Sequence, residues 1–295
     1  MIYDQLVLGN GRDAVSAALS GARTGLRVAL AIPADTPSDW VSAKVLRQAV
    51  DRLIPTGYIS ISALRREVGS LIDAQRDADR NELSRWGVER FAGRARLVSA
   101  DSIIIGDNIL RAGTIVLACG TRTATFGHVP FDGRSVFAAE QLLSLNELPQ
   151  SMIVVGAGQS GLEHAVVLAM LGVRTTVVDN HVNMFDLCGG LMGLPLFEAQ
   201  AHDIAFRLGD EVIGIEPSDR QAVVRLASGR VLNGDAVLVC AGREGRTDGL
   251  DLESVGVGLD ERGRVWCDAR GHTWNPQITA VGDVVGFRTS HIMAG

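Results

Sequence analysis

The sequence predicts an α/β fold made of two Rossmann-like dinucleotide-binding domains, the second inserted in the first. Three observations carry that prediction. An apolar run leads into a glycine-rich turn twice, at residues 2–14 (IYDQLVLGNGRDA) and 151–161 (SMIVVGAGQSG). Each copy continues into a helix-like stretch and a second strand, at 26–32 in the first and 175–179 in the second. Each later reaches a short apolar run ending in glycine, TIVLACG at 114–120 and AVLVCAG at 236–242. A β-α-β unit with such a return strand is half of a doubly wound domain. The expected boundaries are 1–148 and 246–295 for a discontinuous first domain and 149–245 for the second.

The intervening segments follow from periodicity and punctuation. Residues 41–54 have helical spacing, with Val45, Leu46, Val50 and Leu53 on one face. A longer, heavily charged helical stretch covers 63–86, and the alternation over 90–117 reads as an antiparallel meander. Pro130 and Pro149 punctuate the passage to the second copy. After Gly242 the chain is polar and turn-rich to Gly271, then closes on ITAVGDVVGF at 278–287.

A length of 295 residues suits two domains. A net charge of -6 argues against a nucleic-acid partner or an anionic membrane surface. Asp4 and Gln5 interrupt the first apolar stretch, so it reads as a strand and not a secretory leader. The most apolar run, 162–173, contains Glu163 and His164 and falls short of the roughly 20 residues a spanning helix needs. The expectation is a cytoplasmic protein. Cys119, Cys188, Cys240 and Cys267 have no metal-ligand spacing and read as small buried apolar groups. His164, His181 and His202 are scattered and none is read as a metal ligand.

The second glycine turn is the stronger motif. Gly156 permits the tight turn, Gly158 lets the backbone approach a pyrophosphate, and Gly161 lets helix and strand pack closely. Asp179 ends the next strand, where an acid accepts hydrogen bonds from the adenosine ribose. This carboxylate predicts a preference for NAD(H) over NADP(H), whose 2′-phosphate it would repel. In the first copy Gly9 and Gly11 take the same roles and Ala14 replaces the third glycine. There Asp13 brings a negative charge toward the phosphates, and Ile32 stands where the ribose acid belongs. Gly282 and Asp283 close a further apolar run, where glycine would leave room for phosphate and Asp would take a ribityl hydroxyl.

The glycine turn with Glu163 two residues beyond Gly161, the strand-end pair Cys119-Gly120, GREGRTDGLDLESVGV at 242–257 and AVGDV at 280–284 occur in this order along nearly the whole chain. In these the sequence resembles the pyridine nucleotide-disulfide oxidoreductases. Within that family the likeness is greatest to the soluble pyridine nucleotide transhydrogenases, with the dihydrolipoamide dehydrogenases next. The resemblance implies FAD on the first domain, held by Gly9, Gly11, Ala14, Gly120, Gly282 and Asp283. It implies NAD(P)H on the second, held by Gly156, Gly158, Gly161, Asp179 and Gly242. Lys44 and Glu163 match a Lys–Glu pair beside the flavin ring. Hydride would pass from the nicotinamide through the flavin to a second acceptor, which in the transhydrogenases is another nicotinamide nucleotide.

Three departures limit the likeness. Ser42-Ala43-Lys44 stands where disulfide-forming members have Pro-Ser-Lys, and the preceding 34–41 contains no cysteine, which excludes dithiol relay chemistry there. The first ribose acid is replaced by Ile32. The family's homodimer is built by a C-terminal interface domain, and this sequence stops at Gly295. The alternatives are a degenerate or truncated nucleotide-binding member without catalysis, and an NADH diaphorase with a non-nucleotide acceptor. Ile32, Asp13 and the missing interface domain together predict substoichiometric flavin.

Overall fold

The computed structural model describes residues 2–34, 42–124, 129–182, 202–218 and 221–289. Strand β1 (Ile2–Leu8) leads through the first glycine turn into helix α1 (Arg12–Arg23), and β2 (Val28–Pro33) returns alongside. Helix α2 (Ala43–Leu53) starts at Ser42, whose Oγ accepts from the Val45 N–H at 3.4 Å. It buries Leu46, Ala49, Val50 and Leu53 at helical spacing. Helix α3 (Ile61–Arg85) precedes β3 (Glu89–Gly93), β4 (Ala95–Ser99), β5 (Ser102–Ile105), β6 (Asn108–Leu117) and β7 (Thr121–Thr123). Strands β8 (Val136–Ala138) and β9 (Ser151–Val155) follow, then α4 (Gln159–Met170) after the second glycine turn. Strands β10 (Arg174–Asp179), β11 (Ala205–Leu208), β12 (Val212–Pro217), β13 (Ala222–Leu226), β14 (Val231–Gly234) and β15 (Ala236–Val239) come next. The described chain ends with β16 (Arg243–Gly245), β17 (Val265–Asp268), β18 (Ile278–Ala280) and β19 (Val285–Thr289).

These elements form two compact units. Unit 1 takes Met1–Asp39, Ala74–Arg122 and Arg243–Gly295; unit 2 takes Trp40–Asp73 and Thr123–Gly242. The division differs from the sequence expectation, which left 40–73 and 123–148 with the first glycine turn. Two contacts draw those segments into unit 2: α2 packs on α4, and β8 pairs with β15.

Each unit is α/β and Rossmann-like. In unit 1 the sheet order is β3-β2-β1-β6-β5-β4, with β18 also beside β6. Strands β3, β2, β1, β6 and β18 run parallel, and β4, β5 and the start of β6 form an antiparallel meander. The expected meander over 90–117 is therefore only partly present, because β3 joins β2 in parallel register. Strand β6 changes partner along its length: Asn108–Arg111 face β5, and Arg111–Leu117 face β1. Strand β2 reads VALAIP, apolar at every position, as a parallel strand covered on both faces does.

In unit 2 the order β11-β10-β9-β15-β8 is parallel throughout. Helix α4 buries Leu162, Ala165, Val166, Val167 and Leu168 in a core shared with α2. Strands β12, β13 and β14 add a three-stranded antiparallel sheet in a stretch that periodicity left unassigned. Among the described residues no helix is long and apolar enough to cross a membrane. Cys119, Cys240 and Cys267 are buried, as expected, and Cys188 lies outside the described residues.

Candidate functional sites

Both glycine turns carry a strand into a helix, and the space around each glycine shows what it is for. In unit 2 Gly156 has φ +106°, and a Cβ there would meet the Ala241 nitrogen at 3.0 Å. A Cβ on Gly161 would fall 1.8 Å from the Gly156 carbonyl oxygen, so only glycine lets α4 close on β9. Gly158 differs: it is the extended N-cap of α4, and a Cβ there would meet nothing within 4 Å. No side chain caps α4, whose first N–H groups therefore stand beside the open face of Gly158. That arrangement suits an anion.

Asp179 closes the turn at the end of β10. Its Oδ2 accepts from the Ala157 N–H at 2.6 Å, and its Oδ1 accepts from the His181 N–H at 2.9 Å. The His181 ring Nδ1 lies 2.6 Å from the same Oδ1. The Asp179 side chain is only 10% exposed, whereas that of His181 is 53% exposed. The sequence reading names His181 among the scattered histidines and gives it no role beside Asp179. A signal was available, because an Asp that accepts from the N–H two residues on makes an Asx-turn, common where a strand ends. Gly242 ends the return run with φ +73°, and its carbonyl accepts from the Ala124 N–H at 3.3 Å.

In unit 1 a Cβ on Gly9 would come within 2.1 Å of the Ala118 carbonyl oxygen. Ala14 is fully buried at the third position, and its methyl would stand 3.0 Å from that same Cβ, a further bar to a side chain at Gly9. Gly11 is the extended, side-chain-uncapped start of α1 with open space beside it, like Gly158. Ile32 packs against the core cluster of Val7, Ala14 and Leu30 and offers no acceptor.

The surroundings of Gly282 bring in a second carboxylate. Gly282 has φ +75°, and a Cβ there would meet Asp13 Oδ2 at 2.1 Å. The Asp13 carboxylate thus lies directly against this glycine. Asp283 is exposed in the following turn. Gly120 has φ +69° and open space, and its carbonyl accepts from the Arg246 N–H at 3.1 Å. Arg243 Nε donates to Thr121 Oγ1 at 2.8 Å, and Arg122 bridges Glu244 at 2.6 Å and Asp248 at 2.8 Å. The strand-end Cys119-Gly120 and the 243–248 segment are therefore brought together. Burial pushes the Cys119 thiol up to about 12, which suits a packing role and not a nucleophile.

Lys44 and Glu163 both belong to unit 2, on the packed helices α2 and α4. Lys44 is exposed and Glu163 half-buried. They are not within ion-pair distance: among the described residues, Glu163 accepts from Gln159 Nε2 at 3.0 Å, one turn earlier on α4.

The sequence model of one family, pyridine nucleotide-disulphide oxidoreductase, matches residues 3–294. A soluble pyridine nucleotide transhydrogenase of Mycobacterium tuberculosis is 36% identical over 244 residues, which are 80% of this chain and 51% of the relative. One from Serratia proteamaculans is 28% identical over 308 residues, covering 97% of this chain and 66% of the relative. The chain spans about half the length of the first of these relatives and about two-thirds of the second. Among solved structures, LpdA from Mycobacterium tuberculosis gives a TM-score of 0.80 over 96% of this chain and 68% of that one, at 22% identity. The HOCl-induced flavoprotein disulfide reductase RclA from Escherichia coli gives 0.78 over 97% and 67%, also at 22% identity. At such identities the structural likeness is one of fold.

Proposed function

This chain belongs to the pyridine nucleotide-disulphide oxidoreductase family, and from that premise we propose that it is an FAD-dependent pyridine nucleotide oxidoreductase of the transhydrogenase type. The observation that carries the reading is the pair of glycine turns, one in each unit. Each presents an extended glycine, Gly11 or Gly158, with open space at an uncapped helix start. Such a turn is where a dinucleotide pyrophosphate approaches the backbone.

Unit 2 fits a nicotinamide nucleotide through Gly156, Gly158, Gly161, Asp179 and Gly242. Unit 1 would hold FAD through Gly9, Gly11, Ala14, Gly120, Gly282 and Asp283. When bound, FAD supplies the two-electron carrier between one nicotinamide and a second acceptor, here a second nicotinamide nucleotide. The protein's own share is orientation and charge. Helix dipoles at the starts of α1 and α4 favour the phosphates. Lys44 would be a hydrogen-bond donor that Glu163 keeps oriented, which requires Glu163 to exchange Gln159 for Lys44.

A second reading is favoured by unit 1. Asp13 lies directly against Gly282 and Ile32 offers no acceptor, as in a nucleotide-binding protein that has lost its flavin. The absorption spectrum of the purified protein, with its flavin stoichiometry before and after incubation with FAD, separates the two. Flavin bands that bleach on addition of NADH or NADPH support the oxidoreductase. A protein that takes up no flavin from excess FAD supports the second reading.

A further inference from the structure

The carboxylate of Asp179 is poorly placed to receive a ribose directly. Oδ1 is taken by the His181 N–H and faces the ring Nδ1, and Oδ2 is taken by the Ala157 N–H. One acceptor site remains on Oδ2, on a side chain that is almost covered. The exposed partner is the imidazole. We propose that His181 determines nucleotide specificity, presenting its Nε2 to the adenosine ribose so that one site accepts both NAD(H) and NADP(H). The inference rests on reading unit 2 as a nicotinamide nucleotide site.

The chemistry follows from the ring's two nitrogens. With Nδ1–H donating to Asp179, a neutral imidazole has Nε2 as an acceptor, suited to a free 2′-hydroxyl. A protonated imidazole has an Nε2–H donor beside a carboxylate that it neutralises, which suits a 2′-phosphate carrying about -1.5 to -2 charges. An unshielded carboxylate would repel that phosphate. One ring atom therefore serves both cofactors, as an acceptor or as a donor.

The glycine turn 156–158 is uncharged. After β11, Asp210 donates its N–H to the Asp179 carbonyl at 3.1 Å; the Ser228 hydroxyl holds its carboxyl below the usual carboxylate range. Arg207 on β11 donates to the Phe206 carbonyl at 3.0 Å, and Arg174 stands at the opposite end of β10. The Gly209 N–H donates to the His181 carbonyl at 2.9 Å, which fixes the backbone that carries the ring.

The test is a fluorescence titration of NADPH and of NADH into the full chain, at about pH 6 and about pH 8. Wild type, His181→Ala and His181→Arg are compared. In wild type the affinity for NADPH relative to NADH should fall about tenfold from the lower to the higher pH, the scale of one charge-assisted hydrogen bond. His181→Ala should lose about tenfold in NADPH affinity at the lower pH. Its remaining pH dependence should be only that of the 2′-phosphate, which itself titrates near pH 6. His181→Arg, a permanent cation, should hold NADPH at both values. If both nucleotides bind but His181→Ala leaves their ratio and its pH profile unchanged, the role of His181 is overturned and the nucleotide site stands. If wild type binds neither nucleotide, the site itself fails and the inference with it.

Discussion

The two glycine turns have the same backbone plan and opposite chemistry around it. In unit 2 the third position must be glycine, because a Cβ on Gly161 would collide with the Gly156 carbonyl, and the turn is closed by the acid Asp179. In unit 1 Ala14 fills that position, Ile32 replaces the acid, and a different carboxylate, Asp13, reaches across to Gly282. A strand-turn-helix can therefore survive while the groups that recognise a ligand change. The turn is maintained by close backbone packing, and recognition is added by side chains at its rim.

That contrast can be broken most forcefully at the third position. Gly161→Ala should destabilise unit 2 by more than about 4 kcal/mol, because the obstruction is backbone and cannot move aside. The reverse change in unit 1, Ala14→Gly, should cost only about 0.5–1 kcal/mol, the ordinary penalty for glycine in a helix. Urea unfolding of both variants measures this. A Gly161→Ala protein as stable as wild type would show that the two turns do not differ in packing.

The closing carboxylate comes next. Asp179→Ala leaves the Ala157 N–H without its partner and should lower stability by about 1–3 kcal/mol. A thermal melt that shifts no more than that of a surface control would mean that Asp179 does not close the turn.

A smaller effect is expected at the rim of unit 1. Flavin should be substoichiometric in the purified protein and recoverable with added FAD. Asp13→Asn removes a negative charge from the phosphates' surroundings and should tighten FAD by up to about tenfold, or roughly 1.4 kcal/mol. Flavin fluorescence titration reads the change. A wild type that keeps one FAD per chain through dialysis would contradict the expectation that this copy is weakened.

The smallest effect on stability is expected from Glu163→Gln. Its partner is a neutral amide one turn away, so stability should stay within about 0.5 kcal/mol of wild type. Flavin reduction by NADH should nevertheless slow if Glu163 orients Lys44. Unchanged reduction kinetics in Glu163→Gln and Lys44→Gln together would remove that pair from the mechanism.

Much of this was legible in the sequence because it is local. An apolar run, a glycine turn and a helix are contiguous, so the second turn and the strands beside it could be assigned directly, as could the buried face of α2. The meander is only partly legible because a strand-like pattern does not say whether a neighbour runs parallel. Strand β3 lies in the same stretch as β4 and β5, but it pairs with β2, more than 50 residues earlier in the chain.

By itself the sequence determined the α/β class, the two glycine turns, the family likeness and the absence of a cysteine pair before Ser42. It did so because backbone conformation and periodicity are properties of neighbouring residues. Only the tertiary structure decided which side chains share the space around each turn. Asp13 meets Gly282 from 269 positions away, Asp179 is turned onto the Ala157 N–H, and 40–73 and 123–148 join unit 2. Each of these depends on strand order and helix packing, which bring together groups that no spacing in the sequence connects.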